Sequence, residues 1–151
     1  MKVINSTFAG VAFAAENIES SSIGSAEIVN STLFFANLSG KFNLSNSILR
    51  EVNCAGTVKD ALYNLRYLTS GCPGSIPVMN PQLVKDGFLQ ANSGPTLTFA
   101  LLPTSPAVDA IPLGNCIDQD NKPVATDQRG FVRPWPAAGR CDIGAFESGS
   151  H

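Results

Sequence analysis

The chain has 151 residues, 44% of them hydrophobic and only 15% charged, with a net charge of −2. Soluble domains usually carry about 25% charged residues, so serine, asparagine and threonine supply the polarity here, and these side chains suit turn-rich β-structure because they bond nearby backbone groups. The slight acidity leaves no basic footprint for nucleic acid, and no apolar run reaches the roughly 18 residues of a membrane span.

Met1-Lys2 and the apolar stretch ending Ala12-Phe13-Ala14 mimic a short signal peptide. Asn5-Ser6-Thr7 interrupts that stretch and recurs later, so the segment reads as structural coil. Three segments match: Val3–Phe8, Ile28–Phe34 and Leu44–Leu49, with Asn5, Asn30 and Asn46 at the equivalent place. Each asparagine has an apolar residue two before it (Val3, Ile28, Leu44) and another three after it (Phe8, Leu33, Leu49). Residues five apart on a flat strand face opposite sides, so a bend at Asn-Ser must reset the alternation. The recurring strand–bend–strand predicts a β-helix coil with asparagines stacked along a corner.

A five-residue rhythm overlies this repeat: Val3, Phe8, Phe13, Ile18, Ile23, Ile28, Leu33 and Leu38, then Leu44, Leu49 and Cys54 after one extra residue. A period of about 3.6 would not hold that register. Two solenoids produce such a rhythm, the square pentapeptide-repeat type with coils of twenty residues and the wider, triangular, pectate-lyase-like type. The 25-residue interval between Asn5 and Asn30 favours the wider one, although the next interval, 16 residues, is short for a coil. Asn5, Asn30, Asn37 and Asn43 head glycosylation sequons, which an Asn-Ser-Thr repeat generates as a by-product.

From Thr57 the pattern changes. Val58, Leu62 and Leu65 fall at helical spacing, Thr57 and Asp60 supply capping groups and Gly71 a stop, so a short helix is expected over 58–68. Tyr63 and Tyr67 would lie on one side of it, as a packing pair or a sugar-stacking pair. Pro73, Pro77, Pro81, Pro95, Pro103, Pro106 and Pro112 then exclude long helices and central strands. Residues 72–115 should run as extended loops that wrap the end of the coils and cover its open strand edges. Asp118-Gln119-Asp120-Asn121 resembles the start of a calcium loop, but Pro123 and Arg129 stand where an EF-hand needs glycine and glutamate. A turn is the default reading, with calcium at Asp118, Asp120 and Asn121 as the alternative. Trp135, held between Pro134 and Pro136, is a packing residue or a sugar platform.

Cys54, Cys72, Cys116 and Cys141 include no Cys-x-x-Cys pair, and His151 is the only histidine. That removes His-based triads and metal sites. Four isolated cysteines fit two disulfides, with three pairings possible. Cys54–Cys72 with Cys116–Cys141 is favoured because each closes a short loop. Disulfides imply an oxidising compartment; four buried thiols in a cytosolic protein are the alternative.

Asn80–Leu83 (NPQL), Asn92–Ala110 (NSGPTLTFALLPTSPAVDA), Asp127–Pro134 (DQRGFVRP) and Cys141–Glu147 (CDIGAFE) resemble the C-terminal region of choice-of-anchor Q domain proteins. These are bacterial secreted or surface proteins with a right-handed parallel β-helix. The resemblance implies that fold, export and disulfides, and no catalytic residues. Asp109, Asp127, Arg129, Arg133, Asp142 and Glu147 are the charged residues of these motifs. They are read as an internal ion-pair network, with an acid/base or sugar-binding cluster as the alternative.

The expected architecture is therefore all-β: a right-handed parallel β-helix over residues 1–56, and over 57–147 one short helix with a proline-rich, disulfide-tied cap. Ser148–His151 reads as an expression remnant, and the chain as a fragment. The expected function is a non-catalytic capping module of an adhesin-like extracellular or cell-surface protein. Its partners would be the upstream β-helix coils of the parent, with glycans or host and cell-surface proteins beyond them. No cofactor is expected, with calcium as the alternative. A polysaccharide lyase-like or glycan-binding module is the alternative, on fold analogy alone. Residues 3–49 offer it only Glu16, Glu19, Glu27 and Lys41 as charged groups. A pentapeptide-type rod that binds proteins is the third reading.

Overall fold

The structure, a computed structural model, describes residues 2–15 and 25–149; Glu16, Ile18, Glu19 and Ile23 of the sequence reading lie outside them. Ten short strands occupy the first half: β1 (Lys2–Ile4), β2 (Thr7–Ala9), β3 (Ala12–Ala15), β4 (Ala26–Val29), β5 (Thr32–Phe34), β6 (Asn37–Ser45), β7 (Ile48–Arg50), β8 (Asn53–Cys54), β9 (Thr57–Leu62) and β10 (Leu65–Tyr67). All their pairings are parallel. One six-stranded sheet runs β1-β4-β6-β3 with β8 and β9 also on β6, and a four-stranded sheet runs β10-β7-β5-β2.

Where the five-residue rhythm falls on residues 28–49, it marks those that face inward. Val3, Ile28 and Leu44 are in register, as are Phe8, Leu33 and Leu49, and Phe13, Leu38 and Cys54. Ile28, Leu33, Leu38, Leu44 and Leu49 are fully buried and share one apolar core with Ala26, Phe42 and Val52. The short interval also acquires a reason. Ala26 pairs with Phe42 and Thr32 with Ile48, so 16 residues is the repeating step. The first step, 25 residues, carries nine more between Ala15 and Ala26, which pair with Gly40 and Phe42 of β6.

Asn5, Asn30 and Asn46 all have left-handed backbones, with φ of 49°, 46° and 54°. Asparagine tolerates that region better than most residues, and the bend resets the side-chain alternation as the pattern requires. The hydrogen-bonded ladder along the bend, however, is carried by serines and, at its last rung, by Asn64. Ser31 Oγ accepts from the Ser6 amide at 3.3 Å, Ser47 Oγ from the Ser31 amide at 3.2 Å, and Asn64 Oδ1 from the Ser47 amide at 2.9 Å. Two of the asparagines turn toward the C-terminal segment instead: Asn5 Nδ2 donates to the Thr126 carbonyl at 2.6 Å and Asn46 Nδ2 to that of Asn115 at 3.1 Å.

The expected solenoid with one helix is corrected on both counts. The described residues form two sheets of parallel strands with almost no helix, two short 3-10 turns at Val84–Gly87 and Leu113–Asn115 excepted, and no closed solenoid is found among them. The uninterrupted β6 joins what would be two faces of a coil into one sheet. Residues 57–62 and 65–67 are β9 and β10, so no helix spans 58–68. Val58, Leu62 and Leu65 go to three destinations: Val58 packs on the first core, Leu62 is 59% exposed and Leu65 joins a second core. Pairing with the open edges of β6 and β7 outweighed a weak local helical preference.

The remaining residues do two jobs. Residues 70–79 close one end of the stack: Ser70 bridges Asn53, Val78 bridges Arg66, and Ile76 is fully buried within the first core. Residues 81–147 form a strap, joined to itself by isolated antiparallel bridges, whose apolar side chains meet those of the four-stranded sheet. Leu83, Phe99, Leu101, Ala107, Ile111, Cys116, Cys141 and Ile143 pack there with Ile48 and Leu65 as the second core. Gly144 marks the closest approach: its φ is +101°, and a Cβ would lie 2.7 Å from Thr32 Oγ1 and 2.9 Å from Ile48 Cδ1. At that point the Ala145 amide donates to Thr32 Oγ1 at 3.1 Å and the Gly144 amide to the Asn46 carbonyl at 2.9 Å.

Candidate functional site

The charged residues of the C-terminal motifs converge within the strap, residues 81–147. Asp127 Oδ1 accepts from the amides of Arg129 at 2.8 Å and Phe131 at 3.2 Å, and its Oδ2 from the Glu147 amide at 3.0 Å and Arg129 Nε at 2.8 Å. The Arg129 guanidinium also donates to the carbonyls of Glu147 at 2.6 Å and Asn92 at 3.3 Å, and lies over the rings of Phe146 and Phe131. Arg133 Nε lies 3.0 Å from Glu147 Oε2 with both side chains fully buried, and Arg133 Nη2 donates to the Gly144 carbonyl at 2.9 Å. Glu147 further accepts from the Trp135 amide at 2.9 Å and the Asp142 amide at 3.0 Å. Asp142 accepts from the amides of Asp109 at 2.8 Å and Ser148 at 2.6 Å.

Three carboxylates, Asp127, Asp142 and Glu147, thus face two guanidiniums, Arg129 and Arg133. The cluster holds one negative charge in surplus, in surroundings that disfavour charge. Burial pushes Glu147 up to about 7, against the pull of Arg133 and with help from Asp142. It raises Asp142 also, against the amides of Asp109 and Ser148. Burial lowers Arg133 from its ordinary value, although Glu147, Asp127 and Asp142 all favour its charged form. Arg133 Nη1 is buried without a hydrogen-bond partner.

Asp109 contributes through its backbone: its amide binds Asp142 and its carbonyl accepts from Arg140 Nε. Arg140, which also donates to the Ala110 carbonyl at 2.8 Å, was not among the candidates. Nor was Lys2, whose ammonium lies 2.9 Å from Asp118 Oδ2 and 2.8 Å from Asp120 Oδ2. This pairing, together with the amides of Lys122 and Asp120, holds the Asp118 carboxyl below its usual value. It ties the first strand to the strap across more than a hundred residues of sequence, and no local pattern signals it.

At the proposed calcium turn, Lys2 takes the place a cation would have between the two aspartates. Asn121, with φ of 60°, completes an ordinary turn through its amide to the Asp118 carbonyl at 3.0 Å. Among the described residues no group of three or more His, Cys, Asp or Glu side chains is placed to hold a metal. The aromatic candidates are dispersed. Tyr63, at a left-handed bend after β9, packs on the second core; Tyr67 lies in β10 beside Arg50; Trp135 is 42% exposed near Gly149. Tyr63 does line a shallow groove of about 150 Å³ with Ser45, Asn46, Leu62, Ile117 and Gln119. Of the sequon asparagines, Asn30 is fully buried and Asn37 is exposed.

The disulfides are Cys54–Cys72 and Cys116–Cys141, separated by 18 and 25 residues, and no described cysteine is free. The first pins the closed end of the stack and the second pins the strap. Two disulfides are consistent with an extracellular location. No helix among the described residues is long and apolar enough to cross a membrane. Comparison with known proteins returned no matching family model, no matching curated protein and no matching solved structure.

Proposed function

We propose that this chain is a non-catalytic structural module that terminates and braces a stack of parallel strands in a secreted or cell-surface protein. The observation that carries the reading is the asymmetry of the stack. At one end Ile76 fills the interior, residues 70–79 pair with the last strands, and Cys54–Cys72 ties them down. The motif carboxylates support the same reading, because their oxygens accept from backbone amides and guanidiniums of the strap itself. A group held that way positions a fold and is poorly placed to meet substrate.

The resemblance of Asn92–Ala110, Asp127–Pro134 and Cys141–Glu147 to choice-of-anchor Q proteins adds the surface setting and an adhesin-like parent. The partner implied is a preceding run of parallel strands of that parent. The test is to unseal the closed end. Ile76→Asp combined with Cys72→Ser and Cys54→Ser should convert a soluble species into end-to-end aggregates that grow beyond a dimer, as read by light scattering. If the triple variant keeps its fold and size, or if the wild type turns over an acidic polysaccharide, the reading fails.

A further inference from the structure

The last bend of the stack breaks the pattern of the earlier ones. Asn5, Asn30 and Asn46 hold the left-handed position, but Tyr63 stands at the next step, since Ser45 pairs with Leu62 and Ile48 with Leu65. Its φ is 52°, against 54° at Asn46, a conformation that an aromatic residue adopts less readily than asparagine. Just before it, Leu44 pairs with Asp60 and Ser45 with Leu62, which leaves Ala61 as an extra, bulged residue. Bulges re-aim side chains and recur beside functional sites, as does strain stored in the backbone. Here the two devices set Leu62, 59% exposed, and Tyr63 along one wall of the groove of about 150 Å³. The strap supplies the other wall from Asn115, Ile117 and Gln119. Asn46 fastens it, its Nδ2 donating to the carbonyls of Asn115 at 3.1 Å and Ile117 at 3.4 Å.

The walls offer no free charge. Asp118 is the one charged residue that lines the groove, and its carboxylate is taken by Lys2 at 2.9 Å. Hydrogen-bonding capacity is left over, however. Ser45 Oγ is buried with no partner. Among the described residues the Tyr63 hydroxyl and the Asn115 carboxamide meet no partner either, and Gln119 reaches Asn43 only at 3.4 and 3.5 Å. We propose that the groove binds one neutral sugar ring, such as the terminal hexose of a glycan. A cavity of about 150 Å³ accommodates a six-membered ring. A pyranose brings an apolar C–H face for Leu62, Ile117 and the Tyr63 ring. It also brings a rim of hydroxyls that donate and accept, which matches the hydroxyls and carboxamides of the walls. A charged ligand would find no counter-charge, and a wholly apolar one would leave the Ser45 hydroxyl unpaired. The inference concerns binding alone and is independent of the terminating role of residues 70–79, none of which lines the groove.

NMR titration of the isotope-labelled chain with the methyl glycosides of glucose, galactose, mannose and N-acetylglucosamine tests it. The expected result, for at least one of them, is a saturable shift of the Leu62, Tyr63, Asn115 and Gln119 amides. Half-saturation should fall in the millimolar range, as for a small ring, with no product released. Leu62→Asp and Asn115→Ala should each weaken binding about tenfold while the thermal midpoint holds. Tyr67→Ala, outside the groove, should leave the titration unchanged. No shift with any of these sugars up to its solubility overturns the proposal, and so do shifts that lie elsewhere or binding that is unchanged in both groove variants. Tighter binding of N-acetylphenylalaninamide overturns it as well, because the groove would then be a seat for a peptide side chain. Should a groove variant unfold, the location of the shifts in the wild type decides alone.

Discussion

Glu147 is the residue on which the strap turns. Its carboxyl titrates in the folded state at about 7, raised from 4.5 by burial. Between those values the folded chain binds more protons than the unfolded one, so stability falls as pH rises through that window and is flat above it. The change should be on the order of 2–3 kcal/mol. Urea midpoints measured from pH 4.5 to pH 8 should show this decline in the wild type, and Glu147→Gln should remove most of it. Arg133→Ala leaves buried carboxylates without their partner and should cost about 3–5 kcal/mol. A loss below about 1 kcal/mol, as for an exposed pair, would show that the cluster is solvated. Gly144→Ala should cost about 1–3 kcal/mol from its positive φ and its contact with Thr32, also readable by urea unfolding.

At the scale of the element, the segment 57–67 shows how a local pattern misleads. Val58, Leu62 and Leu65 have helical spacing, and a helix would place all three on one face. As strands, Val58 points into the first core and Leu62 to solvent. Leu62→Asp should therefore change stability by less than about 0.5 kcal/mol, as for exposed positions generally. Val58→Asp should cost several times more, through burial of an unpaired carboxylate. Equal losses in thermal unfolding would favour a common face. The Asn-Ser bends were readable because asparagine in a strand–bend–strand repeat points to one backbone conformation. The serine ladder was less so, since serine gives many local hydrogen bonds with no single geometry.

For the whole molecule, two disulfides fasten two different closures. Removing Cys116–Cys141 by paired serine substitution should cost about 3 kcal/mol on the chain-entropy account, and proteolysis should then begin in the strap while the parallel strands persist. Simultaneous loss of strap and stack would mean that they unfold as one cooperative unit.

The sequence by itself determined the inward-facing residues from Ile28 to Cys54, the Asn-Ser bends, the proline-rich extended second half and the pool of charged motif residues. Those follow from side-chain periodicity and backbone preference, which are local properties. Tertiary structure alone decided that β6 continues as one strand through Gly40, that residues 57–67 pair as strands, and that the strap packs on the four-stranded sheet with Lys2 clasped to Asp118 and Asp120. Each depends on a partner far away in the chain. A ladder edge or a buried carboxylate selects its partner by proximity and desolvation, and neither quantity is encoded in the spacing of neighbouring residues.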